Sequence, residues 1–231
     1  LGRVGQLAPA GPEAAAAVER LAFALKDSDV QVRQAACEAL GRLARPEGVE
    51  PLLLALADEE AEIRIAAASA LGRLRSGAAV EPLVLLLRDP NPWVRAAALR
   101  ALGTIGAPRA FPAIVGVLPD DDPPVVLAAL EAAVAVGGEA AVPHILPLLG
   151  SREPETVKGA ARVLAPLGGS AVTAALVSLL AAPDWGVRTA AAEALALRRA
   201  EEARPMLQAR LAVEEDELAR QAIHRALAAL G

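Results

Sequence analysis

The chain has 231 residues, of which 55% are hydrophobic and only 2% aromatic. Its apolar residues are therefore mostly Ala, Leu and Val, which suit closely packed helices. A net charge of −5 disfavours general affinity for nucleic acid or an anionic membrane, because both require a positive field. The single cysteine, Cys37, excludes an internal disulfide framework and leaves the compartment undetermined, with a slight preference for the cytoplasm.

The sequence repeats itself about every 31 residues. Its clearest marker is a small or β-branched residue followed by a basic one, first at Val32-Arg33, Ile63-Arg64 and Val94-Arg95. Apolar residues follow each marker at spacings of three, four and seven, which predicts one buried face of a helix, here called helix B. Asp29 and Asn91, four residues before their basic markers, are N-cap residue types and predict the start of helix B.

A second predicted helix, helix A, precedes each helix B and often has proline in its first turn, where a missing N–H costs little. A hairpin of A and B covers its apolar face only by stacking on neighbouring hairpins. The sequence therefore predicts an all-α fold, a right-handed α-solenoid of seven hairpins forming a single domain over residues 1–231. The predicted repeats are 12–45, 46–75, 76–107, 108–138, 139–169, 170–200 and 201–231, with residues 1–11 as the end of a truncated preceding repeat.

The longest uncharged segment, residues 163–183, has about the length of a membrane span. Pro166 and the pair Gly168-Gly169 interrupt it where the repeat pattern requires a loop. We therefore predict no membrane insertion within this segment.

An aspartate stands six residues before the basic marker in three repeats, as Asp27/Arg33, Asp58/Arg64 and Asp89/Arg95. With these residues the whole chain resembles the HEAT-like repeats that are also called bilin-lyase HEAT-like repeats. The resemblance implies that this Asp and this Arg form a ladder between repeats. The later repeats depart from the pattern, so it does not predict an intact ladder in the C-terminal half. The departures are Asp120/Val126, Arg152/Lys158 and Ala182/Arg188, and Glu214/Arg220 is a conservative variant.

No residue pattern in the sequence predicts catalysis, a cofactor or a metal site. His144 and His224 lie on different repeats without ligand-spaced partners, and His144 occupies a helix A position that predicts partial burial. Cys37 is predicted to face outward as an incidental thiol. The HEAT-repeat hydroxylases that hold iron use His-Glu pairs, and this chain has no His-Glu dipeptide. The protein is therefore predicted not to be an enzyme.

The side of helix B away from the predicted core carries apolar residues in the central repeats. In HEAT-like proteins this side lines the concave face, and exposed apolar clusters usually mark interfaces. The sequence leaves open the alternative that neighbouring B helices bury these residues. We predict a non-catalytic scaffold that binds another protein of unknown identity here. The predicted partner-binding residues are Ile65, Trp93, Leu99, Val126, Leu127 and Leu130.

Two other functions stay open. Arginines cluster at the far ends of the B helices and could bind nucleic acid or another anion, although the net acidity makes nucleic acid an improbable partner. The family resemblance alone suggests a bilin lyase-like or chaperone role. The arginines of the predicted anion-binding edge are Arg42, Arg45, Arg73, Arg75 and Arg109.

Overall fold

The computed structural model describes residues 12–231, and all regular secondary structure in this range is helical. The prediction of an all-α repeat fold is confirmed. The predicted truncated repeat at residues 1–11 lies outside the described residues.

Short and long helices alternate along the described chain, giving seven successive pairs of helices A and B. Short 3-10 segments precede or extend most of the A helices, as at Leu86–Arg88. The A helices are α1 Pro12–Ala24, α3 Val49–Ala55, α5 Val80–Leu85, α7 Phe111–Val115, α9 Val142–Ile145, α11 Ser170–Ser178 and α13 Arg204–Val213. The B helices are α2 Val30–Leu43, α4 Ala61–Leu74, α6 Pro92–Ile105, α8 Pro123–Gly137, α10 Pro154–Leu164, α12 Trp185–Leu197 and α14 Glu217–Ala229.

The chain divides into two compact units, one ending at Val117 and the other running from Leu118 to Gly231. The first unit contains α1 to α7 and the second contains α8 to α14. The single domain over residues 1–231 stays a prediction.

In the first unit the B helices α2, α4 and α6 pack successively against one another. Two glycines on these helices allow the close approach. A Cβ added at Gly41 would lie 2.9 Å from the Ala70 Cβ, and one added at Gly72 would lie 3.0 Å from the Ala101 Cα. The first distance is shorter than real Cβ atoms adopt, and the second is tighter than nearly all real Cβ contacts. A larger residue at either position would therefore push the helices apart.

The predicted buried stripe forms the core of this unit, with one difference in its first B helix. Ile63 of α4 and Val94 of α6 are fully buried, whereas the equivalent Val32 of α2 is exposed. In α2 the stripe residues Ala36 and Leu40 are nevertheless buried, so only part of the stripe is exposed there.

In the second unit α8, α10, α12 and α14 pack in the same successive way. Arg198, just beyond α12, holds the loop that follows α10. Its guanidinium donates to the main-chain oxygens of Ala165 at 3.2 Å and Gly169 at 3.1 Å, and to the Thr173 hydroxyl at 3.3 Å. One arginine thus satisfies carbonyl groups left free beyond the end of a helix.

The B helices begin where the sequence predicts. The side chains of Asp29, Asn91, Asp184 and Asp216 each accept a hydrogen bond from a backbone N–H of the first turn. These bonds satisfy amides that have no partner inside the helix.

By length and composition alone, the described residues contain one helical run that could cross a membrane, Pro123–Gly150. This run consists of α8 and α9 with a break at Gly138, whose φ of 53° and ψ of −127° lie outside the helical region. In the fold it is a B helix followed by the next A helix. The segment 163–183 is likewise interrupted, with α10 ending at Leu164 and α11 beginning at Ser170.

Candidate interaction surface on the B helices

Ion pairs tie successive hairpins of the first unit together. The Arg33 Nε and Nη2 atoms donate to the two carboxylate oxygens of Asp58 at 3.0 and 3.1 Å. Arg64 binds Asp89 in the same bidentate way at 2.8 and 3.0 Å. Each carboxylate comes from the next hairpin, 25 residues further along the chain.

The aspartate six residues before each arginine has a different part in the ladder. Its main-chain oxygen accepts from the arginine Nη1 atom, at 2.9 Å from Asp27 to Arg33 and at 2.8 Å from Asp58 to Arg64. Arg95 donates to the main-chain oxygen of Asp89 at 3.0 Å. The spacing of six therefore marks a backbone contact, and any residue type provides a main-chain oxygen.

This explains why a ladder pair survives in the second unit where the sequence pattern departs. Arg188 donates to the main-chain oxygen of Ala182 at 2.9 Å and makes two 2.7 Å bonds to the carboxylate of Glu214. Arg210 donates to the same carboxylate at 2.8 Å. The Glu214 side chain is fully buried, and the hydrogen bonds from Arg188, followed by those from Arg210, hold the pKa of Glu214 well below its usual value.

The predicted exposure of the partner-binding row is wrong at three positions. Leu99 and Leu130 have no exposed surface, and Val126 is buried. For Leu130 the physical reason is the small size of a facing residue. Its Cδ1 lies 3.3 Å from the position of a Cβ added at Gly159 of the next B helix. The alternative that neighbouring B helices bury part of the row therefore applies to these residues.

Cys37 is also buried rather than outward-facing. Burial, with a further contribution from Asp58, raises the pKa of its thiol to about 12. The thiol is therefore protonated at neutral pH and unsuited to nucleophilic chemistry.

Of the three remaining predicted residues, Ile65 and Trp93 line a groove of about 430 Å³ on α4 and α6 of the first unit. Trp93 is 57% exposed, while Ile65 is half-buried. Arg73, which was predicted as part of a separate anion-binding edge, lines the same groove together with Arg100.

A second groove of about 520 Å³ lies on the B helices of the second unit. Its apolar residues are Leu127, which is half-buried, Trp185, which is 45% exposed, and Leu197. The Thr189 hydroxyl in its lining is buried without a hydrogen-bond partner among the described residues. The charged residues of its lining are Glu155, Lys158, Arg162 and Glu193.

Sequence reasoning missed Trp185 because this residue does not stand at a position that the repeat pattern singled out. Trp185 stands three residues before Arg188, whereas Trp93 stands two before Arg95. The signal that would have found it is composition, since these are the only two tryptophans in the chain.

The five arginines of the predicted anion-binding edge have different environments. Arg42 pairs with Glu38 at 3.4 Å, Arg45 pairs with Glu47 at 3.2 Å, and Arg109 pairs with Glu81 at 3.3 Å. Arg75 is exposed at the end of α4 with left-handed backbone, and Arg73 lines the first-unit groove. Three of these arginines therefore already have carboxylate partners.

A third concave region lies on the A helices α1 and α3 of the first unit, with a volume of about 510 Å³. The highly exposed Phe23 and Leu54 form its apolar part. The sequence analysis did not single out either residue. Its charged residues are Glu19, Lys26, Glu50 and Asp58.

Neither histidine occupies a binding site of this surface. Both are exposed, so the predicted partial burial of His144 is wrong. The helix that carries it, α9, has a single turn and buries Ile145 instead. Among residues 12–231 no group of three or more His, Cys, Asp or Glu residues is arranged to hold a metal ion.

The helical pairs, the interrepeat ion pairs and the successive packing of the B helices within each unit define an α-helical repeat scaffold. The chain belongs to the family of HEAT repeats, whose model matches residues 17–87, 80–165 and 142–228. No curated protein matches it significantly in sequence.

Solved structures resemble the chain over most of its length. The complex of CpcE and CpcF of phycocyanin lyase from Nostoc sp. PCC7120 is 26% identical, with full coverage of both chains and a TM-score of 0.59. An engineered protein is 26% identical over 93% of this chain and 68% of its own, with a TM-score of 0.53. The Escherichia coli protein YibA is 18% identical over 96% of this chain and 97% of its own, with a TM-score of 0.61, which is a likeness of fold.

Proposed function

We propose that the protein is a non-catalytic scaffold that binds another protein through the grooves on its B helices. The observation that carries the proposal is the placement of Trp93 and Trp185. Both tryptophans of the chain are about half-exposed, and each lines a groove on this face of its own unit. Tryptophan is among the residues most enriched in the energetic centres of protein interfaces, because it buries a large area with few torsions to fix.

The folding of the B helices gives no reason for these tryptophans. Gln31 and Glu62 stand at the position of Trp93 in α2 and α4, and Glu155 stands at the position of Trp185 in α10. All three are exposed polar residues, so the repeat does not require tryptophan at these positions. An indole at such a position leaves apolar surface in water and adds little to the core. The full-length likeness to a lyase made of two associated HEAT-like proteins supports a binding role.

Site-specific photo-crosslinking tests this proposal. The photoreactive residue p-benzoylphenylalanine would replace Trp93 or Trp185. The matched controls would replace Leu85 or Val213, apolar residues that are more exposed than either tryptophan. We expect irradiated native extract to give a defined partner band from position 93 or 185 and none from the controls. Equal crosslinking from all four positions would contradict a specific groove.

The partner identified in this way allows a quantitative measurement. Trp93→Ala or Trp185→Ala, whichever residue crosslinks, is expected to weaken its binding at least tenfold, because truncating an interface anchor removes most of its buried apolar contact. Leu85→Ala is expected to leave binding unchanged. If the tryptophan variants bind with unchanged affinity, the interface does not lie on the B helices.

The likeness to the phycocyanin lyase pair also favours a second candidate, a role in bilin attachment. This candidate predicts a visible absorbance change when the protein is mixed with a free bilin. A spectrum equal to the sum of the separate components would leave the scaffold as the remaining proposal.

A further inference from the structure

We infer that the groove around Trp93 binds an acidic segment of a partner protein, one that places a large apolar side chain beside one or more carboxylates. This inference rests on the proposed function and adds the chemistry of the partner to it.

The first support is the sign of the charges in the groove. Arg73 and Arg100 are its only charged lining residues, and both are exposed. Neither has a carboxylate within ion-pair distance in the described part of the chain. The groove is therefore locally positive in a protein whose net charge is −5. Guanidinium groups bind carboxylates with two parallel hydrogen bonds, which gives an acidic segment both affinity and orientation.

The second support is the apolar part of the same groove. Trp93 and Ile65 lie beside a wall made of Gly72, Ala97 and Ala101. These small residues leave room for a side chain of the partner, and the contact between Gly72 and the Ala101 backbone fixes how closely α4 and α6 approach. A simple anion would use the arginines and leave the indole and Ile65 exposed to water. A peptide with a neighbouring apolar residue covers both parts of the groove.

Three other concave regions among the described residues do not offer this combination, and the one beside Pro119 has only acidic charged residues, Asp120, Asp121 and Glu153. The second-unit groove has two carboxylates and two basic side chains, so its lining charges balance. The region around Phe23 and Leu54 on the A helices is apolar too, but three of its four charged residues are acidic. Electrostatic complementarity selects among surfaces that are similar in apolar character. An acidic segment is therefore directed to the Trp93 groove.

The test uses a random library of 12-residue peptides displayed on phage and panned against the folded protein. Enriched peptides would be synthesised with a fluorescein label and titrated by fluorescence anisotropy. We expect the enriched set to have negative net charge and at least one large apolar residue. Because the groove supplies two cationic side chains, raising the salt concentration from about 50 to 500 mM is expected to weaken their binding several-fold.

Two variants locate the binding. Arg73→Gln combined with Arg100→Gln is expected to weaken peptide binding at least tenfold, and Trp93→Ala is expected to do the same. The matched controls are Arg88→Gln and Leu85→Ala, which change exposed side chains that do not line the groove and should leave the affinity within about twofold. Trp185→Ala is measured separately to detect binding at the second-unit groove. All the changed side chains lie at the surface, and circular dichroism would establish that each variant folds.

The outcomes separate this inference from the proposed function. Two results would overturn the inference of an acidic partner but not the proposed scaffold function. In the first, the peptides require Trp93 but are neutral or basic. In the second, their affinity is unchanged by the arginine substitutions. Peptides whose binding survives both Trp93→Ala and Trp185→Ala would count against the B-helix scaffold itself. Failure to enrich any peptide would overturn the inference. In a further outcome, a single-stranded oligonucleotide binds with the same affinity as the peptide and competes with it, and its affinity is unchanged by Trp93→Ala. That result would also overturn the inference and identify a nucleic-acid site.

Discussion

The two units of the chain use the same helical pair but connect successive pairs differently. In the first unit Arg33 and Arg64 each bind one aspartate of the next hairpin, and the carboxylates of Asp58 and Asp89 are 14% and 6% exposed. In the second unit Glu214 has no exposed surface and accepts hydrogen bonds from both Arg188 and Arg210. The first arrangement can repeat in every hairpin, whereas in the second two arginines share one buried carboxylate.

This difference shows what the repeat requires at these positions. The arginine needs a main-chain oxygen on its own hairpin, which every residue type offers, and an acidic side chain on the next hairpin. A long glutamate at position 214 reaches its arginine as well as an aspartate does. The two grooves also differ in charge. Each contains a tryptophan, Trp93 or Trp185, but the charged lining residues are all basic in the first groove and balanced in the second.

Removing the buried carboxylate is the largest expected effect. Glu214→Ala should destabilise the second unit by about 3–5 kcal/mol, because it leaves the buried Arg188 guanidinium without its counter-charge. Urea denaturation measures the loss, and hydrogen exchange should accelerate first in α12, α13 and α14. A loss below about 1 kcal/mol, or exchange changes confined to the first unit, would contradict a concentrated ion-pair site.

The stability of the second unit should also depend on pH through Glu214. Its pKa is lowered in the folded state, so the unfolded state binds a proton first as the pH falls. The contribution of this carboxylate is therefore complete above its usual pKa of about 4.5 and is lost as the pH falls below it. Urea denaturation at several pH values should show that the stability difference between the parent and Glu214→Gln narrows from pH 6 to pH 3. A constant difference would mean that Glu214 is not the titrating group.

In the first unit a single ladder arginine should matter less. Arg64→Ala is expected to cost about 1–3 kcal/mol, because it leaves the largely buried Asp89 carboxylate without its bidentate partner. The exposed Arg88 is the matched control, and Arg88→Ala should change the free energy of unfolding by less than about 0.5 kcal/mol. Equal losses from the two variants in the same urea experiment would remove the distinction between ladder and surface arginines.

The sequence predicts the helices well because their signals are local. Asp29 and Asn91 mark the first turns of their helices, and the apolar spacing around Ile63 and Val94 identifies the buried face. The surface is harder to predict because it depends on how closely neighbouring hairpins approach. Leu99 and Leu130 have the positions of an exposed row but are buried, and for Leu130 the small Gly159 of the adjacent helix allows this. The grouping of Arg73 with Trp93 also needed the fold, since the two residues lie on different helices.

The smallest expected effect comes from residues with left-handed backbone at the ends of the B helices. The change in stability should be equal in the two units if the ends of their B helices are equivalent. Arg75 after α4 and Arg199 after α12 have left-handed backbone, with φ values of 49° and 53°. At the equivalent position after α6 the residue is Gly106, with φ of 72°. Glycine adopts this conformation without the steric cost of a Cβ atom, so Arg75→Gly and Arg199→Gly should each stabilise the protein by about 0.5–1 kcal/mol. The reverse change, Gly106→Ala, should destabilise by a similar amount. Thermal and urea denaturation measure all three, and a stabilisation found in only one unit would show that the helix ends, and not the ion pairs alone, distinguish the two halves.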